Sequence, residues 1–196
     1  MMGRRALVTQ EQWLDRGLEA FGRAGRAGLK VESLAAALGC SKAGFYWYFG
    51  SKAVFEGRVV EHWRRRETLS LIEAAERAAS PREKLQSLFE RVLRLPRSGD
   101  FLFHLRALAR KSARLRAVLE DVERTRLEYV ARVLVDLGQP EGRARERAEV
   151  LYHYYLGWYE RHKHERLSKA ELAKQIAVAA RIVGLAPLEP ASEVKR

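Results

Sequence analysis

The chain has 196 residues, of which 47% are hydrophobic and 32% charged, and its formal net charge is +12. This composition excludes a disordered chain, and the length allows a folded core without disulfide or metal staples. A single cysteine excludes an intramolecular disulfide and a cysteine-based zinc cluster. The positive charge favours a polyanionic partner such as nucleic acid, although a generally arginine-rich composition would produce the same charge.

The sequence contains no candidate membrane span. Its longest uncharged run, residues 150–159, is much shorter than the ~18 apolar residues that cross a bilayer. The basic N-terminus is not followed by the apolar stretch of a secretory signal. We therefore expect a cytoplasmic protein that does not bind membranes.

Apolar residues recur at helical spacing along the chain, and no window alternates with the period of a strand. The fold class predicted from this pattern is all-α, with about nine helices. Candidate caps and glycine or proline breaks place them at about residues 9–24, 32–38, 41–49, 52–79, 80–95, 101–111, 115–137, 141–164 and 168–183.

Residues 31–52 are the most informative stretch. They predict two short helices joined by a tight turn, with the small Ala35 at the helix contact and Gly39 at positive φ. Cys40 and Phe45 are apolar where the pair has to pack on the first helix. This is the arrangement of a helix-turn-helix, in which one helix braces the next for the major groove of DNA.

Aromatic residues crowd the second helix of this pair. Phe45 and Phe49 are four residues apart and are predicted to face inward, whereas Tyr46 and Trp47 point elsewhere. The helix is too short to bury all of these rings. Tyrosine hydroxyls donate to phosphate oxygens, and Lys52 adds charge at the start of the next helix.

The run SKAGFYWYFGSK, residues 41–52, resembles the recognition helix and following turn of the TetR family of transcriptional regulators, and the resemblance extends over about residues 9–55. It implies an all-helical homodimer with a three-helix DNA-binding head, a ligand-binding body and a dimer interface formed by the last two long helices. The predicted domains are a helix-turn-helix domain over residues 1–51, an effector-binding and dimerisation domain over 52–186, and a mobile tail over 187–196.

The resemblance also implies a set of DNA-contacting residues. A basic arm would reach the adjacent groove, Ser41 would cap the recognition helix and contact a phosphate, and the remaining residues would line the groove or bind the backbone. The set comprises Arg4, Arg5, Ser41, Lys42, Ala43, Gly44, Tyr46, Trp47, Tyr48 and Lys52. The family often has Gly-Thr where this chain has Ala43-Gly44, so a hydroxyl that reads a base edge is missing. Sequence readout would then depend on Lys42, Tyr46 and Trp47, or on DNA shape.

The eighth predicted helix is apolar or aromatic on all sides over residues 150–159, so it requires burial on all sides. A subunit interface on one face and the core on the other would provide it, and a purely intramolecular core is the alternative. The candidate interface residues are Leu151, Tyr155, Leu172, Ile176, Ala179, Ala180 and Val183.

A ligand pocket is expected among helices four to eight. Its candidate lining residues are Trp63, Phe101, Phe103, His104, Leu108, Tyr129, His153 and Trp158, and core packing is the alternative for each. His104 and His153 stand out because a buried imidazole needs a polar partner. A basic group would either bind an acidic effector or form a solvated face: Arg106, Arg110, Lys111, Arg114 and Arg116.

The prediction is thus a repressor that binds a (pseudo)palindromic operator in double-stranded DNA as a homodimer and is released by a small-molecule effector. The alternative is a sequence-tolerant architectural DNA-binding protein without an effector. A helical enzyme or carrier has no support, since the sequence contains no nucleophile elbow, carboxylate cluster or glycine-rich phosphate loop. We expect no enzymatic activity, no cofactor and no metal site.

Overall fold

The computed structural model describes residues 8–94, 99–163, 165 and 167–186, with only the backbone described at residue 94. Within these residues the regular secondary structure is entirely helical, so the all-α fold class is confirmed. Arg4, Arg5 and the predicted tail over residues 187–196 lie outside the described residues. None of the described helices has an apolar stretch long enough to cross a bilayer.

Nine helices form in the described part of the chain, as the sequence predicts. They are α1 (Gln10–Ala24), α2 (Val31–Ala37), α3 (Lys42–Phe49), α4 (Lys52–Arg64, a π-helical turn at Arg65–Leu69, and Ser70–Glu76), α5 (Pro81–Arg94), α6 (Phe101–Ala109), α7 (Ala113–Asp136), α8 (Glu141–His162) and α9 (Lys169–Ile182). A short 3-10 turn, Gly25–Gly28, follows α1. The π-helical turn was not predicted, because helical periodicity does not distinguish one wide turn from its neighbours.

Side-chain caps set several of these helix ends. Thr9 and Gln12 form a capping box at α1: the Thr9 hydroxyl accepts from the Gln12 N–H, and the Gln12 side chain accepts from the Thr9 N–H at 2.8 Å. Ser168 and Glu171 form the same motif at α9. Each box satisfies backbone donors that a helix start leaves open, which is why the sequence located these ends closely.

The chain packs as two compact units. Unit 1 comprises Met1–Glu67 and Ser98–Glu120, and unit 2 comprises Thr68–Arg97 and Asp121–Arg196. The functional domains predicted over residues 1–51 and 52–186 stay a prediction, because a packing unit and a functional domain need not share boundaries.

Aromatic side chains form the core of unit 1. Phe21 of α1 contacts Phe101 of α6 with ring centroids 4.4 Å apart, and Phe101 stacks on Trp63 of α4 at 5.1 Å. Gly17 lies where α1 crosses α4, and a Cβ there would come within 2.6 Å of the Phe55 ring. The small residue thus permits the close approach that fixes α1 on α4.

Unit 2 has its own core, built from α5, α7, α8, α9 and the last segment of α4. Six of the seven candidate interface residues are buried in it, and Tyr155 packs against it partly buried. In a single chain these side chains are therefore core residues, which is the alternative that the sequence left open. Their role in a subunit interface stays a prediction.

Candidate nucleic-acid interface

The turn between α2 and α3 is closed by backbone hydrogen bonds. Gly39 adopts φ +64°, its N–H donates to the Ala36 carbonyl at 3.1 Å, and the Cys40 N–H donates to the Ala35 carbonyl at 3.0 Å. These paired bonds are those of a Schellman motif, which requires a left-handed residue at the Gly39 position. The predicted positive φ of Gly39 is confirmed, and α3 leaves the turn in a defined direction.

One face of α3 is anchored in the core of unit 1. Phe45 is fully buried and meets Trp13 of α1 edge-on, with ring centroids 5.5 Å apart. Phe45 and Phe49 also contact Phe55 of α4 at 5.0 and 4.7 Å. The inward orientation predicted for Phe45 and Phe49 is confirmed, so α1 and α4 hold α3 in place.

The opposite face of α3 is presented to solvent. Trp47 is 78% exposed and Tyr46 is 49% exposed. Tyr48 is half-buried, and its ring lies 4.5 Å from that of Trp47. An exposed aromatic cluster on a rigid helix is unfavourable in water, and such surfaces are typical of interaction sites.

The polar candidates flank this aromatic face. Ser41, Lys42 and Ala43 are exposed at the start of α3, and Lys52 is exposed at the start of α4. Gly44 is half-buried, because it faces Trp13: a Cβ at this position would lie 3.9 Å from the indole nitrogen. The structure therefore brings eight of the ten predicted DNA-contacting residues together, and Arg4 and Arg5 lie outside the described residues.

Glu32 of α2 belongs to this surface and was missed by the sequence reasoning. Its carboxylate lies 3.2 Å from the Lys42 ammonium. The pKa of the Glu32 carboxyl is held below its usual value, first by a backbone hydrogen bond and then by Lys42, with a further contribution from the charge of Lys52. An acidic residue ten positions before a lysine is no sequence signal by itself, since the turn decides that they meet.

The candidate pocket residues divide between the two units. In unit 1, Trp63 and Phe101 are buried and His104 packs edge-on against Phe21, whereas Phe103 is 62% exposed and Leu108 is half-buried. The Nε2 atom of His104 is buried without a hydrogen-bond partner among the described residues.

In unit 2, Tyr129 and Trp158 are buried in the core and His153 is exposed. Burial, followed by the nearby Glu76 carboxylate, raises the pKa of the Tyr129 hydroxyl. For all eight candidates the ligand-lining role stays a prediction. Among the described residues, no three histidine, cysteine or acidic side chains are grouped as a metal would require.

Two residues of the predicted basic group have contacts within unit 1. The Arg116 guanidinium donates to the carbonyls of Ala109 and Arg110 at 3.4 and 3.5 Å, so it caps the end of α6. The Arg114 guanidinium packs over Gly57 of α4, where a Cβ would come within 2.7 Å of it. These contacts favour a structural role for both residues over an exposed anion site.

Residues 14–55 match the family model described as bacterial regulatory proteins, tetR family. The match covers most of α1, all of α2 and α3, and the start of α4, which are the helices that build the interface described above. Over these residues the chain is similar to the TetR family. This similarity identifies the α2–α3 pair as the helix-turn-helix of a TetR-like transcription regulator.

A solved structure supports the TetR fold over most of the chain. The crystal structure of a TetR-like transcriptional regulator from Rhodococcus sp. RHA1 is 19% identical, covers 89% of this chain and 92% of that chain, and has a TM-score of 0.65. At this identity the likeness shows the fold alone.

The structure of the R. erythropolis transcriptional repressor QsdR from the TetR family is 20% identical. It covers 93% of this chain and 100% of that chain, and its TM-score of 0.35 is too low to support an argument about this fold. No curated protein matches the sequence significantly.

Proposed function

We propose that this protein is a TetR-family repressor that binds a (pseudo)palindromic operator in double-stranded DNA as a homodimer and is released by a small-molecule effector. The observation that carries the proposal is the outward face of α3. Trp47 and Tyr46 are exposed there beside Lys42 and Lys52, while Phe45 and Phe49 anchor the helix from behind.

This face has the groups that DNA recognition needs. The indole and phenol rings supply apolar contact for thymine methyls and sugars, and the tyrosine hydroxyl and both lysines supply donors for phosphates. The helix is short and held on two sides, so few degrees of freedom are lost on binding. The net charge of +12 adds a general attraction to the duplex.

The homodimer is supported by α8. Leu151 and Trp158 face the core of unit 2, whereas Val150, His153 and Gly157 are exposed on another face of the same helix. Apart from its own stretch of helix, a Cβ on Gly157 would meet no atom of the described residues within 4 Å, so this face leaves room for close approach of a second helix. A two-fold pair would present two α3 helices to half-sites ~34–36 Å apart, or a near multiple of that distance.

An effector is supported by the surroundings of His104. The buried imidazole nitrogen has no hydrogen-bond partner in the part of the chain that the structure describes, so a polar group of a ligand or water would satisfy it. The stacked rings of Trp63 and Phe101 are nearby apolar surface. Release then requires that the effector binds more tightly to the conformation that does not fit the operator.

The DNA-binding proposal is tested with Lys52→Ala and Tyr46→Ala in fluorescence anisotropy. The probes are a duplex selected from a random pool and an unselected duplex, each titrated over a range of salt concentrations. Lys52→Ala should weaken binding to both duplexes alike and lower the salt slope by about one unit, because one phosphate contact is lost. Tyr46→Ala should weaken binding to the selected duplex.

Lys174→Ala is the matched control, since it removes one exposed lysine from α9 in unit 2. It should leave the salt slope unchanged. Unaltered DNA affinity in both Lys52→Ala and Tyr46→Ala would refute the placement of the interface on α3.

The net charge also favours the alternative of an architectural protein that binds DNA without sequence preference. Competition between the selected and unselected duplexes at physiological salt separates the two functions. A repressor should prefer the selected duplex by about a thousandfold or more, whereas an architectural protein should bind both with similar affinity.

A further inference from the structure

The stretch that carries the proposed DNA interface contains one carboxylate. Between residues 31 and 55 the charged residues are Glu32, Lys42 and Lys52. The Glu32 carboxylate forms an ion pair with Lys42 at 3.2 Å, and both side chains are more than half exposed. An acidic group on a surface that has to approach phosphates opposes binding, so its position there calls for an explanation.

A contribution to fold stability does not account for the Glu32–Lys42 ion pair. Ion pairs between exposed side chains contribute little because water screens them and both side chains lose freedom. The fixed geometry of the α2–α3 turn comes instead from the backbone bonds at Gly39 and Cys40 and from the burial of Phe45. The Glu32–Lys42 ion pair can therefore break when DNA binds, without loss of the turn geometry.

We infer that Glu32 is a specificity-determining residue of the DNA interface. Its carboxylate neutralises Lys42 and repels phosphates, except at sequences where a base edge takes the place of Lys42 as the partner of the carboxylate. This inference rests on the proposed DNA-binding function. It assigns to Glu32 a role against non-specific complexes and not a gain in affinity for the operator.

The physical basis is the difference between the two kinds of complex. Non-specific affinity depends on the number of phosphates that cations neutralise, and a lysine already paired to a carboxylate contributes little to that number. In the groove, a carboxylate accepts from the amino group of cytosine, and the released lysine donates to guanine or a phosphate. The repulsion between the carboxylate and the phosphates is thus offset at the operator sequence but not at other sequences. This increases the difference between the affinities for specific and non-specific DNA.

The test is Glu32→Gln, which keeps the shape of the side chain and removes its charge. Anisotropy titrations use the selected and the unselected duplex over a salt series. For the unselected duplex we expect the affinity to rise about five- to tenfold at about 0.1 M salt and the salt slope to steepen by about 0.9, as for one additional phosphate contact. The affinity for the selected duplex should rise less, so the ratio between the two duplexes should fall.

Further variants test whether Glu32 acts through Lys42 and whether net charge alone explains the effect. In the Lys42→Met background, Glu32→Gln should not raise the affinity for the unselected duplex, since no lysine is left to release. Glu19→Gln removes a carboxylate that pairs with Arg16 at 2.7 Å on the exposed surface of α1, and it changes the net charge equally. This control should leave the ratio unchanged, and thermal melting should show all variants folded.

Equal gains on both duplexes, or an unaltered ratio in Glu32→Gln, would overturn the inference. An unchanged effect in the Lys42→Met background would overturn it as well. If the wild-type protein binds no duplex, the proposed function fails, and the inference fails with it. If the wild-type protein discriminates and Glu32→Gln discriminates equally well, the inference alone fails.

Discussion

Phe45 and Trp47 lie two positions apart in α3, yet Phe45 is fully buried and Trp47 is 78% exposed. In a helix two positions correspond to a rotation of about 200°, so the two side chains point to opposite sides. The buried ring fixes the helix against α1 and α4, and the exposed ring is then held rigidly at the surface. At the level of single residues, stability and the proposed recognition are thus assigned to neighbouring side chains.

Tyr129 shows how burial couples a residue to pH. Because burial and the Glu76 carboxylate raise the pKa of its hydroxyl above the ordinary value of about 10, the folded protein disfavours the phenolate. The stability associated with the neutral phenol is fully present below about pH 10. It is lost as the pH rises above that value toward the folded-state pKa, because only the unfolded chain then releases the proton readily.

We therefore expect Tyr129→Phe to remove part of the alkaline loss of stability. Urea unfolding of the wild-type and variant proteins between about pH 8 and about pH 11 measures it: the wild-type free energy of unfolding should fall more steeply above about pH 10. Tyr46→Phe, on the exposed face of α3, is the control and should follow the wild-type curve. Parallel curves for the wild-type and Tyr129→Phe proteins would contradict the assignment.

At the scale of helices, α3 and α4 begin in similar ways with different consequences. Ser51 precedes α4 and its hydroxyl accepts from the Val54 N–H at 3.3 Å. Ser41 precedes α3 in an extended conformation, but its side chain makes no cap hydrogen bond. The N-terminus of α3 therefore has open backbone donors and an uncommitted hydroxyl, which suits the phosphate contact predicted for Ser41.

This difference predicts opposite results for two alanine variants. Ser51→Ala should lower the free energy of unfolding by about 0.5–2 kcal/mol, as expected for a lost N-cap. Ser41→Ala should lower it by less than about 0.5 kcal/mol, because no cap bond is lost, and should weaken DNA binding instead. Urea unfolding and anisotropy on the same preparations measure both. A Ser41→Ala protein as unstable as Ser51→Ala, with unchanged DNA affinity, would contradict this division of roles.

At the scale of the whole molecule, the proposed function requires two copies of the chain. Six of the predicted interface residues are already largely buried in the core of unit 2, so we propose that a partner also contacts exposed side chains. We propose the exposed face of α8 for this contact, since Val150 is 56% exposed and Gly157 has open space beside it. An exposed apolar side chain next to a glycine favours close packing of two helices.

We expect the wild-type protein to sediment as a dimer at micromolar concentration and Val150→Arg to sediment as a monomer, because a buried unpaired charge opposes association. Val135→Arg, at a 41% exposed valine on α7, is the matched control and should remain dimeric. Analytical ultracentrifugation measures both, and loss of selected-duplex binding should accompany dissociation. A dimeric Val150→Arg protein would place the interface elsewhere.

The sequence alone determined the all-α fold, the order and approximate bounds of the helices, and the helix-turn-helix of residues 31–52. These properties depend on local causes: helical spacing of apolar residues, capping by Thr9 and Ser168, and the positive φ of Gly39. The sequence also correctly predicted that Phe45 and Phe49 face inward, because two aromatic residues four positions apart share one face of a helix.

Only the tertiary structure decided what covers each face. It buries Leu172 and Ile176 within a single chain, leaves Phe103 and His153 exposed, and brings Glu32 to Lys42 across the turn. Periodicity identifies an apolar face but carries no information about its partner, since a core, a second subunit and a ligand satisfy it equally. Likewise, the contact between Glu32 and Lys42 depends on the direction in which α3 leaves the turn, which sequence spacing does not encode.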